Sequence, residues 1–267
     1  MIWVMVSKVL LCGNLNDPIS MLIRQQEKNS HPVIRGILSI TIILIIIGGY
    51  FAYRWFTRGG ERASRVMAWI RDPASHPDWS IPAGTRCGDA PFSMPTSGYI
   101  GFLWDDSFYP GHRHQGIDIF GGEGTGITPV FAAHGGYLTR LSDWKSSLII
   151  RIPSDPIQPS RQIWIYYTHL ADEDGRSYIL PDYPPGTSEM YIEEGTLLGY
   201  QGNYSGDPNN PTGIHLHFSI VKDDGNGSFL NELKIQNTLD PSPYLGLPLD
   251  ANENPVGIPK CNEEKEE

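Results

Sequence analysis

Residues 213–221 read Gly-Ile-His-Leu-His-Phe-Ser-Ile-Val, an alternation of period two. Laid out as a β-strand, the run sends His215, His217 and Ser219 to one face and Leu216, Phe218 and Ile220 to the other. The chain must therefore build a sheet that packs on one side and carries imidazoles on the other. Short runs rich in strand formers recur at 129–133, 136–141, 148–152, 162–168 and 196–201, punctuated by glycine and proline. No long amphipathic helix and no internal repeat accompanies them. The expectation is an all-β domain, an antiparallel sheet or sandwich-like fold of about 170 residues, long enough for one core.

Two imidazoles on one strand face suit a transition metal, although such a pair alone is more often a surface or hydrogen-bonded feature. Partners lie elsewhere in the chain. His114 and Asp118 are four apart in an extended segment, an even spacing that keeps both on one side, and Gly116 between them permits a bend or close approach. His169 closes the run Ile163-Trp-Ile-Tyr-Tyr-Thr168 and belongs at the mouth of a strand. These five groups include four of the chain's 8 histidines.

The constellation resembles the M23 family of zinc metallopeptidases, of the lysostaphin and LytM type. Its three pieces stand in order as His114-Gln-Gly-Ile-Asp118, Tyr167-Thr-His169-Leu170 and His215-Leu-His217-Phe218. Connecting text agrees: Thr128-Pro-Val-Phe-Ala-Ala133 followed by Gly135, Gly195-Thr-Leu-Leu-Gly199, and Asp240-Pro-Ser-Pro-Tyr-Leu245. The resemblance covers roughly residues 88–247. It implies one Zn2+ held by His114, Asp118 and His217, with the fourth position open for water, and His169 and His215 as catalytic histidines off the metal. Which of the two is the general base stays open. The implied activity is zinc endopeptidase cleavage of peptide bonds in peptidoglycan stem peptides or cross-bridges. A peptide substrate outside the wall keeps the same chemistry, and the alternative from another class is a non-catalytic envelope module that binds wall peptides or activates another hydrolase. Non-haem iron shares a two-His, one-carboxylate set but fits this spacing less well. His112 falls out of the motif register, His134 sits in a turn where the family usually carries a small polar or acidic residue, and His31 and His76 flank the membrane region.

Residues 36–53 contain no charge and are dominated by isoleucine, with Tyr50, Phe51, Tyr53, Trp55 and Phe56 at one end. This pattern predicts a single uncleaved transmembrane helix over 36–56, in contact with the lipid bilayer. Basic residues flanking the helix favour a cytoplasmic C-terminal side, whereas the family resemblance implies a bacterial membrane protein with its catalytic domain outside the cytoplasm. The expected segments are a cytoplasmic N-terminus at 1–35, with Met21 as a candidate start, then the span at 36–56. A basic, proline-rich linker at 57–87, the M23-like domain at 88–250 and an acidic tail at 251–267 follow.

Charge divides along the chain. Residues 1–71 hold 9 Lys and Arg against 3 acids, and residues 72–267 hold 11 against 27, a net of +6 and −16. The basic part suits anionic lipid headgroups, and the acidic part excludes nucleic acid as a partner. Cys87 and Cys261 lie just outside the ends of the M23-like region, where they are either bridged in an oxidising compartment or two free thiols. The loop 171–192 after His169 either shapes access to a site or is a plain surface excursion.

Overall fold

The computed structural model describes residues 18–107, 111–251 and 257–261, leaving out the side chains of 18–33, 35 and 51–60. Residues 1–17, and with them the question of a start at Met21, lie outside the described residues, as does most of the expected tail. Two compact units, 1–56 and 57–267, divide the chain.

In the first unit, helix α1 (Pro18–Arg71, whose last turns belong to the second unit) exposes Ile37, Leu38, Ile40 and the run 42–47 at 46–67%. Among the described residues no helix is long and apolar enough to cross a membrane. The expected span over 36–56 extends into side chains outside that description.

The second unit differs at its start from the expected 57–87 linker. Residues 57–71 are helical, the C-terminal turns of α1, because Val66 and Trp69 lie three apart on one helix face and have a surface to cover: Tyr99 and Phe120. The Trp69 indole N–H donates to the Phe120 carbonyl at 2.7 Å. Arg62 pairs with Asp106 at 3.1 Å and donates to the Ala251 carbonyl at 3.0 Å. Pro73 then stops the helix, since the residue before a proline is driven out of helical geometry.

Among the described residues ten strands follow: β1 (Tyr99–Phe102), β2 (Ile117–Phe120), β3 (Pro129–Phe131), β4 (Gly136–Thr139), β5 (Leu148–Ile152), β6 (Ile163–Thr168), β7 (Met190–Ile192), β8 (Leu197–Tyr200), β9 (Leu216–Lys222) and β10 (Thr238–Leu239), with the short helix α2 (Ser242–Leu245) after them. The main sheet runs β1-β2-β9-β6-β5-β4-β7 with β10 also on β9, and β3 pairs with β8 in a second small sheet. Every pairing is antiparallel. The expected all-β, antiparallel domain is therefore present.

Period-two alternation builds the core. Ile117 and Ile119 of β2, Leu216, Phe218 and Ile220 of β9, Ile163, Ile165 and Tyr167 of β6, and Leu148, Ile150 and Ile152 of β5 all enter one apolar cluster. The other sheet face carries a smaller cluster of Ile149, Trp164 and Val221. Tyr167 places its hydroxyl on the Ala133 amide at 2.9 Å, which satisfies its polar end inside the core. The loop 171–192 is tied to this body: Ile179 and Tyr183 enter the core, and the buried Arg140 guanidinium donates to the Tyr183 carbonyl and the Ser177 hydroxyl. Cys87 and Cys261 form a disulfide across 174 residues of sequence, with Cα atoms 5.0 Å apart.

Candidate metal centre and hydrolytic site

Three adjacent strands present the site. Register sets Asp118 of β2 opposite His217 of β9, and His217 opposite Thr168 of β6. All three lie on the face away from the main core, so Asp118 and His217 become neighbours through strand pairing alone. His114 arrives from the segment before β2, where Gly116 packs against β9: a Cβ there would overlap the Phe218 carbonyl oxygen and crowd the Ser219 Cβ. Only glycine lets the chain pass so close.

His114 Nε2 lies 3.1 Å from Asp118 Oδ1 and 3.0 Å from His217 Nδ1, and His217 Nδ1 is 2.8 Å from the same Asp118 oxygen. The three side chains are buried, and they form the cluster among the described residues able to hold a metal ion. Their outer partners assign the tautomers. The Leu103 carbonyl, 2.9 Å from His114 Nδ1, can only accept, so that nitrogen carries the hydrogen. The Glu232 carboxylate, 2.9 Å from His217 Nε2, accepts in the same way. Two imidazole lone pairs and a carboxylate oxygen are left facing one another.

Such a donor set calls for positive charge. Burial disfavours charge on His217, yet hydrogen bonds and attraction from Asp118 and Glu232 outweigh it and push its pKa up to about 10. Burial would raise Asp118, but the charges of His114 and His215 hold it well below the usual carboxylate range. Glu232 is likewise held low against burial by its bond to His217. A single proton on His217 Nδ1 cannot bond both Asp118 and His114 fully, whereas a metal ion accepts all three lone pairs at once. The residues present fit a zinc of the two-nitrogen, one-oxygen kind.

The other two histidines stand beside this cluster. His215 directly precedes β9; its Nδ1 lies 2.7 Å from the Gly213 carbonyl and its Nε2 3.5 Å from Asp118 Oδ1. Its ring stacks on Phe120, centroids 5.0 Å apart. His169 follows β6 with its Nδ1 2.6 Å from the Tyr204 carbonyl and its ring 4.6 Å from that of His215. Both Nδ1 atoms therefore carry hydrogens and both rings offer Nε2 lone pairs when neutral. Burial, with His215 and His217 nearby, pushes His169 down to about 3, so it stays neutral. His169 has a backbone φ of 71°, a left-handed conformation that non-glycine residues rarely adopt and that is enriched at functional positions. Gly202 makes this turn feasible, because a Cβ there would collide with the Ala171 carbonyl and meet that of His169.

All five residues singled out by motif thus come together at one place. His134 and His76 do not: the first bonds the Gly135 carbonyl beside Phe92, and the second stacks on Trp79. Spacing did not reveal Glu232, which lies fifteen residues past His217 beyond a glycine-rich turn, nor the Phe120 ring against His215. Neither leaves a mark in sequence that distinguishes it from a surface acid or a core aromatic.

No family model matches the chain, and no curated protein does. Solved structures that it resembles are M23 peptidases and LytM-type domains. One, described as a peptidase M23 from Pseudomonas aeruginosa, is 19% identical with a TM-score of 0.35, over 66% of this chain and 60% of that one. Another, described as a glycyl-glycine endopeptidase LytM from Ruminococcus gnavus, is 22% identical with a TM-score of 0.32, over 49% and 45%. The catalytic domain of a prophage-encoded M23 protein, EnpA, from Enterococcus faecalis is 18% identical with a TM-score of 0.33, over 57% and 96%. The chain spans less than two thirds of the length of each of the first two. Overlays this partial carry no functional argument, which rests on the chain's own site.

Proposed function

We propose that this chain is a zinc-dependent endopeptidase, anchored in a bacterial cell membrane by a single span at 36–56, that hydrolyses peptide bonds of peptidoglycan outside the cytoplasm. The observation that carries the catalytic part is the convergence of His114 Nε2, Asp118 Oδ1 and His217 Nδ1, with His169 and His215 beside them and off the cluster. Bound there, zinc would bring the pKa of a water toward neutrality and polarise a carbonyl. His114, Asp118 and His217 would hold it. His169 and His215 offer Nε2 lone pairs, fixed in direction by the Tyr204 and Gly213 carbonyls. One of these lone pairs takes the proton from the attacking water, and the N–H so formed donates toward the charge that develops on the carbonyl oxygen before the proton passes to the leaving amine.

Anchoring is supported by the charge-free run at 36–53, the exposed isoleucines along α1 and the basic residues around them. The substrate class is supported by the resemblance of the motifs, and the acidic domain needs local groove contacts to hold an anionic wall polymer.

The test pairs zinc analysis with digestion of purified peptidoglycans that differ in cross-link chemistry, using the full chain. We expect about one zinc per chain, release of muropeptides, and, for His215→Ala, retained zinc with turnover down roughly 10²–10⁴-fold. His217→Ala should lose the metal. Stoichiometric zinc without cleavage of any wall or peptide substrate would favour a binding module, and a chain without zinc would sink the metalloenzyme.

A further inference from the structure

Building on the zinc reading above, we propose that Glu232 is a positioning residue that orients His217 and fixes its tautomer from the side away from the metal. Its Oε1 lies 2.9 Å from His217 Nε2, and the pair is largely shielded, with side-chain exposures of 14% and 9%. A carboxylate there accepts the Nε2 hydrogen and keeps the Nδ1 lone pair directed at Asp118 and His114. It also makes the ring a stronger donor to a cation, the role outer carboxylates play behind metal-bound histidines.

The two imidazoles of the cluster are backed differently. His114 has a neutral carbonyl behind it, that of Leu103, and His217 has a full negative charge. With Asp118 this places two carboxylates around a buried centre whose histidines are neutral when ligating, and a divalent cation balances that charge. The loop carrying Glu232 is held in place from the cluster itself. Gln115, next to His114, donates from its side-chain amide to the Leu233 carbonyl at 3.2 Å, and Asn237 donates to the Asn231 carbonyl at 2.8 Å. The residue beside one imidazole thus tethers the segment that backs the other.

The full chain, Glu232→Ala and Glu232→Gln are compared by competition for zinc with a chromophoric chelator, alongside thermal melting of the metal-free proteins. We expect zinc affinity to fall about 10–100-fold in the alanine variant, with glutamine in between, because its amide oxygen still accepts the Nε2 hydrogen but brings no charge. A wild-type chain that takes up no zinc overturns the metal reading itself. Tight wild-type binding with the alanine variant within twofold of it overturns the role of Glu232 alone. So does an affinity loss that is equal in both variants and matched by an equal fall in melting temperature, since that is the behaviour of a loop support.

Discussion

Asp155 carries its charge where no solvent reaches, and three donors make that tolerable. Burial alone would raise its pKa, but the Ile157 amide at 2.8 Å, Arg161 at 2.5 Å and the Tyr244 hydroxyl at 2.8 Å bring it below the usual carboxylate range. A depressed folded-state pKa contributes stability at pH values above the unfolded-state pKa and loses it as pH falls through the folded one. Asp155→Asn should therefore lower stability by about 2–3 kcal/mol from pH 5 to 8, a figure discounted because Arg161 is partly exposed. Urea unfolding should show the gap to wild type closing below about pH 4. A gap that widens in acid would mean the carboxylate is not the stabilising form. At this scale the sequence was informative wherever chemistry repeats at a fixed spacing, as with His114 and Asp118 or His215 and His217. Asp155 and Glu232 were opaque because their partners are set by loop conformation, which no periodicity encodes. The left-handed backbone of His169 was opaque for the same reason.

Strands do the assembling of the site. Asp118 and His217 face each other because β2 and β9 pair in one register, and a slip of one residue in β9 would turn His217 toward the core and away from Asp118. Gly116 guards that register at the point where His114 enters. Gly116→Ala should cost about 2–4 kcal/mol, read as a lower urea midpoint, since the methyl group can be placed only by moving β2 away from the Phe218 carbonyl. The same movement parts Asp118 from His217, so zinc affinity should fall with stability. Unchanged unfolding and zinc uptake would show that the contact is slack. The strands over 129–133, 136–141, 148–152, 162–168, 196–201 and 215–221 were legible because each alternates or is bounded by glycine and proline. β10 was not, since two residues are too few for a period to register, nor was β7, which closes the segment read as the loop 171–192.

For the whole second unit, closure depends on joining distant parts of the chain. The Cys87–Cys261 bridge spans 174 residues, and on the chain-entropy account a loop of that length contributes about 5 kcal/mol, less whatever the unfolded chain retains. Cys87→Ser should accordingly lower the melting temperature by roughly 10 °C or more, and a reductant should do the same to wild type while leaving the variant unmoved. A reductant that destabilises both equally would place the effect elsewhere. The segment before β1 was the least legible at this scale. Its arginines, prolines and small residues have the composition of a tether, and what makes part of it helical is the waiting apolar surface of Tyr99 and Phe120.

That docked helix end redraws where the hydrolase begins. Trp69 grips the backbone of Phe120, and the ring of Phe120 lies flat against His215, so one residue separates the last turn of α1 from an imidazole of the site. A soluble fragment trimmed to start at residue 72 would strip this backing away, bare two aromatic rings to water and leave His215 leaning on an unsupported neighbour. A fragment that keeps these contacts starts ahead of Arg62.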